Sequence, residues 1–237
     1  MNRCPSILTN MAFRQSRTWT DATTSICRGD ETPDELCPLR QALRLFRLRR
    51  KFDAVVTLGP RPSLAYGLLC AALRVPSQQI LSEVFLDAAR PASAAWRFKT
   101  ALFRFVARRA LGILTNSSGE VALIARRFGL PEDRLRFVPM HTTLAEPQAV
   151  AENDGSVLSI GRTLRDLDAL VAAARRVAAP FVVVAGAADR LPEPLPANVR
   201  VRRDVPLAEG HALMRQAAIV VIPLVPAERS TGQVVLF

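Results

Sequence analysis

GILTNSSGEVALIARRFGLPEDRLRFVPM, residues 112–140, reads as a strand, a helix and a second strand. Gly112–Thr115 is a short apolar run built on Ile113 and Leu114. Ser117 and Glu120 stand at the spacing of a capping box, which opens a helix. The periodicity predicts that helix over Glu120–Phe128, with Gly129 and Pro131 ending it. Arg136–Met140 is then the next strand. Strands that are apolar runs separated by helices belong to parallel sheets covered on both faces.

The same alternation extends in both directions. Upstream, Leu39, Ala42, Leu43, Leu45 and Phe46 recur at helical spacing. Phe52–Leu58 is a strand bounded by Gly59-Pro60, Ser63–Leu73 a helix, Gln79–Phe85 a strand and Ala94–Leu111 a helix. Residues 1–36 lack a sustained period, with a strand expected only at Ile7–Phe13. Downstream, 147–156 is polar and reads as a linker through Pro147, Asn153, Asp154 and Gly155. Strands follow at Val157–Ile160, Phe181–Val184, Val199–Val201 and Ile219–Leu224, with helices over Asp166–Val177 and Ala208–Gln216 and one opening near Gly232. The expected organisation is a poorly defined segment 1–36, a parallel-sheet α/β domain over 37–146, the linker, and a second such domain over 157–237. In open parallel sheets ligands bind where strands end at their carboxyl side. Those loops are where candidate sites are sought.

At 237 residues, with 49 % hydrophobic and 22 % charged side chains, the composition is globular rather than disordered. No apolar stretch approaches the roughly 20 residues a spanning helix needs. Met1–Met11 carries Arg3 with no apolar block behind it, so no signal peptide is read there. Cys4, Cys27, Cys37 and Cys70 are scattered and His141 and His211 are the only histidines, so neither a Cys/His metal site nor a disulfide framework is expected. That usage suits a reduced cytoplasmic setting. The net charge is +11, and all basic residues but Lys51 and Lys99 are arginine. Residues 1–150 hold 22 basic and 12 acidic side chains, while 151–237 hold 10 and 9. An anionic partner for the first part alone follows from this asymmetry.

Several motifs are absent. There is no G-x-x-x-x-G-K-[ST], no G-x-G-x-x-G and no G-x-S-x-G. Ser117 and Ser118 read as helix caps rather than nucleophiles. Two loops could meet an anion. Gly161-Arg162, with Arg165 beyond, follows a strand, and a strand-end glycine beside guanidinium groups suits a diphosphate. A tight turn with solvated arginines fits the same residues. Glu228-Arg229-Ser230-Thr231-Gly232-Gln233 precedes a helix, whose N-terminus binds phosphate well, and an ordinary N-cap fits equally. Gly186 closes the strand ending at Val184-Ala185.

Arg40, Arg44, Arg47 and Lys51 fall on one helical stripe, and Arg97, Arg104 and Arg108 on another. Each cation near an anionic bilayer contributes about 1 kcal/mol, so four add about 4 kcal/mol, enough for reversible docking. A solvated helix face is the alternative. Trp96, Phe98, Phe103 and Phe105 interleave the second stripe at helical apolar positions and are expected in the core, which argues against base stacking and a nucleic-acid partner. His141 ends a strand near the linker and reads as a structural residue, whereas His211 lies within a helix and reads as a surface residue.

Taken together, these segments resemble the GT-B-fold glycosyltransferases, specifically family 4 of retaining enzymes. Ile113–Ser118, Ala125–Pro131 and Arg136–Pro139 are similar to the end of that family's acceptor domain. Val157–Arg162 with Leu167–Ala174 resembles the opening of its donor domain, and Ala217–Pro223 with Ser230–Phe237 the approach to its nucleotide-sugar motif. The resemblance implies two Rossmann-like parallel-sheet domains and transfer of a sugar, of hexosyl type, with retention, from a nucleotide sugar and without a cofactor or metal. It places Arg162 on the donor diphosphate, Arg165 in the role of a companion lysine, and Gly232 at the donor. Gly161, Gly186, Glu228, Ser230, Thr231 and Gln233 complete the expected donor set. The basic first domain then suits a glycan or lipid-linked acceptor at an anionic membrane surface, as in polysaccharide biosynthesis by a peripheral protein on the cytoplasmic face.

The chain also departs from the family. It ends at Phe237, before the family's ribose-binding glutamate, and its first loop is not glycine-rich. The expectation is therefore a second domain that is incomplete, a chain truncated at its C-terminus and partly at its N-terminus, and activity that does not follow automatically. Where the family often has a histidine, this chain has Ser82-Glu83, which makes Glu83 the acid/base or acceptor-binding candidate. The alternative to transfer is a non-catalytic remnant of the fold that binds a nucleotide.

Overall fold

The structure, a computed structural model, describes residues 4–11, 16–28, 31–83, 93–139, 152–161 and 164–225. These form two compact units, one holding residues 4–139 and the other 152–225.

The first unit is a six-stranded parallel sheet in the order β2-β1-β3-β4-β5-β6. Its strands are β1 (Ile7–Thr9), β2 (Thr23–Ser25), β3 (Ala54–Leu58), β4 (Gln79–Ser82), β5 (Gly112–Thr115) and β6 (Leu135–Phe137). The helices are α1 (Arg17–Ala22), α2 (Pro38–Leu48), α3 (Pro60–Ala72), α4 (Ala94–Arg109) and α5 (Ser118–Phe128). From β2 to β6 every crossover steps the same way along the sheet, so right-handed connections put α2 to α5 on one face. Leu8, Leu45, Val55, Tyr66 and Cys70 make the core at one end of that layer. Leu81, Phe103, Val106, Ile113, Ile124 and Phe128 make it at the other, where Phe103 and Phe128 stack with ring centroids 6.2 Å apart. Gly67 lets α3 lie close on α4, because a methyl group there would run into Val106 and stand 2.9 Å from Gln79 Oε1.

Residues 4–28 are more ordered than their pattern predicts. The strand expected at Ile7–Phe13 spans only Ile7–Thr9, and α1 and β2 follow it. β1 continues into Asn10, whose amide is buried. Its Nδ2 donates to Gln41 Oε1 at 2.6 Å and to the Leu58 carbonyl at 3.1 Å, and its Oδ1 accepts from the Leu58 N–H at 2.7 Å. One side chain thus ties β1 to β3 and α2. The predicted capping box is not formed. Ser117 stands at the N-cap of α5 but its side chain makes no cap hydrogen bond, and Glu120 Oε2 accepts from the Asn116 N–H at 3.2 Å. Gly129 ends α5 as expected, in the left-handed conformation at φ 58°.

The second unit is a four-stranded parallel sheet in the order β10-β7-β8-β9. Its elements are β7 (Val157–Ile160), α6 (Leu167–Ala174), β8 (Phe181–Ala185), β9 (Val199–Arg203), α7 (Leu207–Gln216) and β10 (Ile219–Val220). Asp166 caps α6 by accepting from the Ala169 N–H at 2.9 Å. The chain moves from β7 out to β9, and α7 then carries it back to pair β10 with the other side of β7. The strand order therefore reverses at β7, and a reversal of this kind opens a crevice at the carboxyl ends. The strand expected at Ile219–Leu224 is short; beyond Val220 the chain leaves the ladder, and Leu224 forms an isolated bridge with Arg165. Among the described residues no helix is long and apolar enough to cross a membrane.

Candidate functional site

The carboxyl ends of β7, β8 and β9 in the second unit surround a cleft of about 120 Å³. Ile160, Gly161, Val184 and Ala185 line one side, and Asp204–Pro206 with His211 and Met214 the other. Gly161 has φ 129°, a region that residues with a side chain rarely adopt. A methyl group at Gly161 would also collide with the guanidinium of Arg165. Arg165 Nη2 donates to the Ile160 carbonyl at 3.1 Å, while its buried Nε has no partner among the described residues. Burial holds the Arg165 pKa below the ordinary arginine value. The segment is pinned at the strand reversal: Asp166 N–H donates to the Pro223 carbonyl at 3.0 Å and Val225 N–H to the Leu164 carbonyl at 3.0 Å. The strand-end glycine and Arg165 are thus together, beside a cleft. A guanidinium next to a strand-end glycine is chemically suited to an anionic group.

Gly186 does not join them. Its N–H donates to Asp189 Oδ2 at 2.7 Å and its carbonyl accepts from Arg203 Nη1 at 2.7 Å, so it is committed to its own turn. Arg162, Glu228, Ser230, Thr231, Gly232, Gln233 and His141 lie outside the described residues. The far wall of the cleft escaped the sequence reading. β9 runs two residues beyond the predicted Val201, which moves its strand-end loop onto Asp204–Pro206. Asp204 has φ 48°, and its N–H donates to the Ala185 carbonyl at 3.0 Å. Gly210 is buried on α7, where an added Cβ would lie 3.1 Å from Ile160 Cδ1, so it lets α7 approach the end of β7. His211 is exposed, as expected, but faces the cleft.

In the first unit the candidate Glu83 follows β4 at the carboxyl edge, with φ 53°. Burial pushes its carboxyl pKa up, against a hydrogen bond with Asn116 that lowers it. Asn116 follows the neighbouring strand β5, and Gly59, after β3, donates its N–H to the Ser82 carbonyl at 3.2 Å. A desolvated carboxyl at a strand edge can exchange a proton or accept a hydrogen bond from a hydroxyl. Asn116 is the partner that motif spacing did not reveal. Among the described residues no cluster of three or more His, Cys, Asp or Glu could hold a metal ion.

The basic stripes need correction. α2 ends at Leu48, and Lys51 belongs to the 3₁₀ turn Arg49–Lys51 rather than to the helix. Arg44 is half-buried and paired: Nη1 lies 2.6 Å from Glu31 Oε2 and 3.1 Å from the Ile26 carbonyl. The Arg44 hydrogen bond, first among several contacts, lowers the Glu31 pKa. Arg40 and Arg47 are exposed. On α4, Arg97, Arg104 and Arg108 are exposed, and Arg104 Nη2 donates to the Arg127 carbonyl at 3.1 Å, capping the end of α5. The interleaved aromatics are not all core. Phe103 is buried, but Phe98 is 66 % and Phe105 47 % exposed. The helix carries rings on two faces, and periodicity alone had assigned them to one.

Two parallel sheets, each with its candidate groups at the carboxyl ends of the strands, define an α/β protein of the GT-B type. Residues 12–141, more than half of the chain, match the glycosyl transferase 4-like domain, and the chain belongs to that family. Sucrose-phosphate synthase from Thermosynechococcus elongatus has a similar fold, with a TM-score of 0.59 and 16 % identity over 85 % of this chain and 59 % of that one. TarM is similar at a TM-score of 0.53 and 10 % identity, over 78 % of this chain and 39 % of that one. The chain thus spans 59 % and 39 % of the lengths of these two proteins. No curated protein matches it by sequence.

Proposed function

We propose that the protein transfers a sugar, of hexosyl type and with retention, from a nucleotide-sugar donor to a glycan or lipid-linked acceptor at the cytoplasmic face of a membrane. The observation that carries this reading is Gly161 lining the cleft with the Arg165 guanidinium packed against it. The diphosphate lies where Gly161 lines the cleft, and Arg165, whose guanidinium covers Gly161, neutralises it with Arg162 and without a metal. The cleft between Gly161 and Asp204–Met214 takes the nucleoside. Glu228, Ser230, Thr231, Gly232 and Gln233 complete the donor site. Glu83, held by Asn116, binds the acceptor hydroxyl and takes its proton as the new glycosidic bond forms and the bond from the anomeric carbon to the diphosphate breaks, releasing the nucleoside diphosphate. A carboxyl with a raised pKa is suited to both. Arg40, Arg44, Arg47, Lys51, Arg97, Arg104 and Arg108 belong to the acceptor side, with Arg44 holding Glu31 rather than lipid.

The test is calorimetric titration of the chain with UDP and GDP, followed by donor hydrolysis with the matching nucleotide sugars. Binding that falls about tenfold or more in Arg165→Ala, with release of nucleoside diphosphate from the donor, supports the proposal. Binding without turnover supports instead a nucleotide-binding remnant of the fold. Binding of neither nucleotide refutes both.

A further inference from the structure

The outward face of α4 has a composition that the donor cleft does not account for. Phe98 and Phe105 stand two turns apart on that face, about 10 Å along the helix, at 66 % and 47 % exposure. Arg97, Arg104 and Arg108 run beside them, and Arg109 lies over the Phe105 ring with its Cζ 5.8 Å from the centroid. α4 contains no acidic residue. The same helical layer repeats the pattern: α2 exposes Leu39 and Leu43 next to Arg40 and Arg47, and neither α2 nor α3 carries an acid. A water-facing surface ordinarily mixes both signs of charge and keeps large rings scarce. Cations alone would suit any polyanion, and rings alone any apolar partner. A bilayer interface presents phosphate and hydrocarbon within about 5–10 Å of each other, which meets both at once.

We propose that α4 docks the protein on an anionic bilayer, with Phe98 and Phe105 entering the headgroup–acyl boundary and Arg97, Arg104 and Arg108 on lipid phosphates. The proposal rests on the acceptor side of the function above for its purpose. It needs no donor and no turnover for its test, so its failure leaves the donor site standing.

The full chain is sedimented with phosphatidylcholine vesicles, with and without phosphatidylglycerol. Binding should require phosphatidylglycerol and weaken with added salt. Phe98→Ser/Phe105→Ser should lower the partition coefficient about tenfold or more, because both rings lose their burial in the bilayer. Arg97→Gln/Arg108→Gln should lower it about 25-fold, about fivefold for each cation. Both pairs are exposed, and Arg104 is left intact because it caps α5, so circular dichroism should be unchanged. Equal binding to both vesicle types, or parent-level binding by the Phe98→Ser/Phe105→Ser chain, overturns the proposal. So does a parent that binds no vesicle and self-associates through a contact which the two serines abolish.

Discussion

Replacing Gly161 by alanine tests the geometry of the donor loop without reference to any ligand. Two costs are legible. The backbone sits at φ 129°, where a residue with a Cβ loses roughly 1–3 kcal/mol. The new methyl group also displaces the Arg165 guanidinium, breaking its bond to the Ile160 carbonyl, worth about 0.5–1.5 kcal/mol. The sum is about 1.5–4.5 kcal/mol. At a urea dependence of about 2 kcal/mol per molar, the unfolding midpoint of the second unit should fall by roughly 1–2 M. Circular dichroism reads this transition. Tryptophan fluorescence does not, since Trp19 and Trp96 both lie in the first unit, and it serves as the internal control. On an Arg165→Ala background the same glycine change should cost only the backbone part, about 1–3 kcal/mol. A Gly161→Ala chain whose circular dichroism transition lies within about 0.5 kcal/mol of the parent would refute the strained, arginine-covered loop.

Three other outcomes follow from the same structure. Glu83 has a raised pKa, so its protonated form is favoured in the fold; its stabilisation is present below the ordinary glutamate value of 4.5 and is lost as pH rises through the folded value. Glu83→Gln should therefore gain on the parent in urea midpoint as pH rises from about 4 to 7, and a gap that is flat or closes with pH would contradict the desolvation. Phe128→Ala removes a ring that is 1 % exposed and stacked on Phe103, and should cost about 3–5 kcal/mol by tryptophan-monitored unfolding; a loss under about 1 kcal/mol would deny the stack a place in the core. Glu31 has a lowered pKa, so its stabilisation is present above the ordinary value and is lost as pH falls through the folded one. Glu31→Gln should match the parent in acid and fall below it at neutral pH, unless the Arg44 pair is idle.

What could be seen beforehand divides along a physical line. β5 and β7 were legible to the residue because each is a short apolar run cut off by a turn or cap signal on both sides, and the parallel class followed from such runs alternating with helices. The end of β1 and the whole of β2 were not, because Thr9, Thr23, Thr24 and Ser25 carry little apolar signal; the buried Asn10 amide ties β1 to α2 and β3 through partners 31 and 48 residues away. Non-local hydrogen bonds of that kind leave no periodic trace. The site divides in the same way. Gly161 and Arg165 are five-residue information and could be read, whereas the opposite wall of the cleft comes from α7 returning across the sheet, so Asp204, His211 and Met214 meet Gly161 only through topology. The aromatic residues of α4 mark the limit most sharply. A period of 3.6 says that Phe98 and Phe105 share a face and that Phe103 lies on another, but it does not say which face is inward. Packing decides that: Phe103, Val106 and Ala107 meet the sheet, and the two phenylalanines are left outside among arginines. An expectation of core rings became an exposed cationic face because a helix with apolar residues on both sides can bury only one of them.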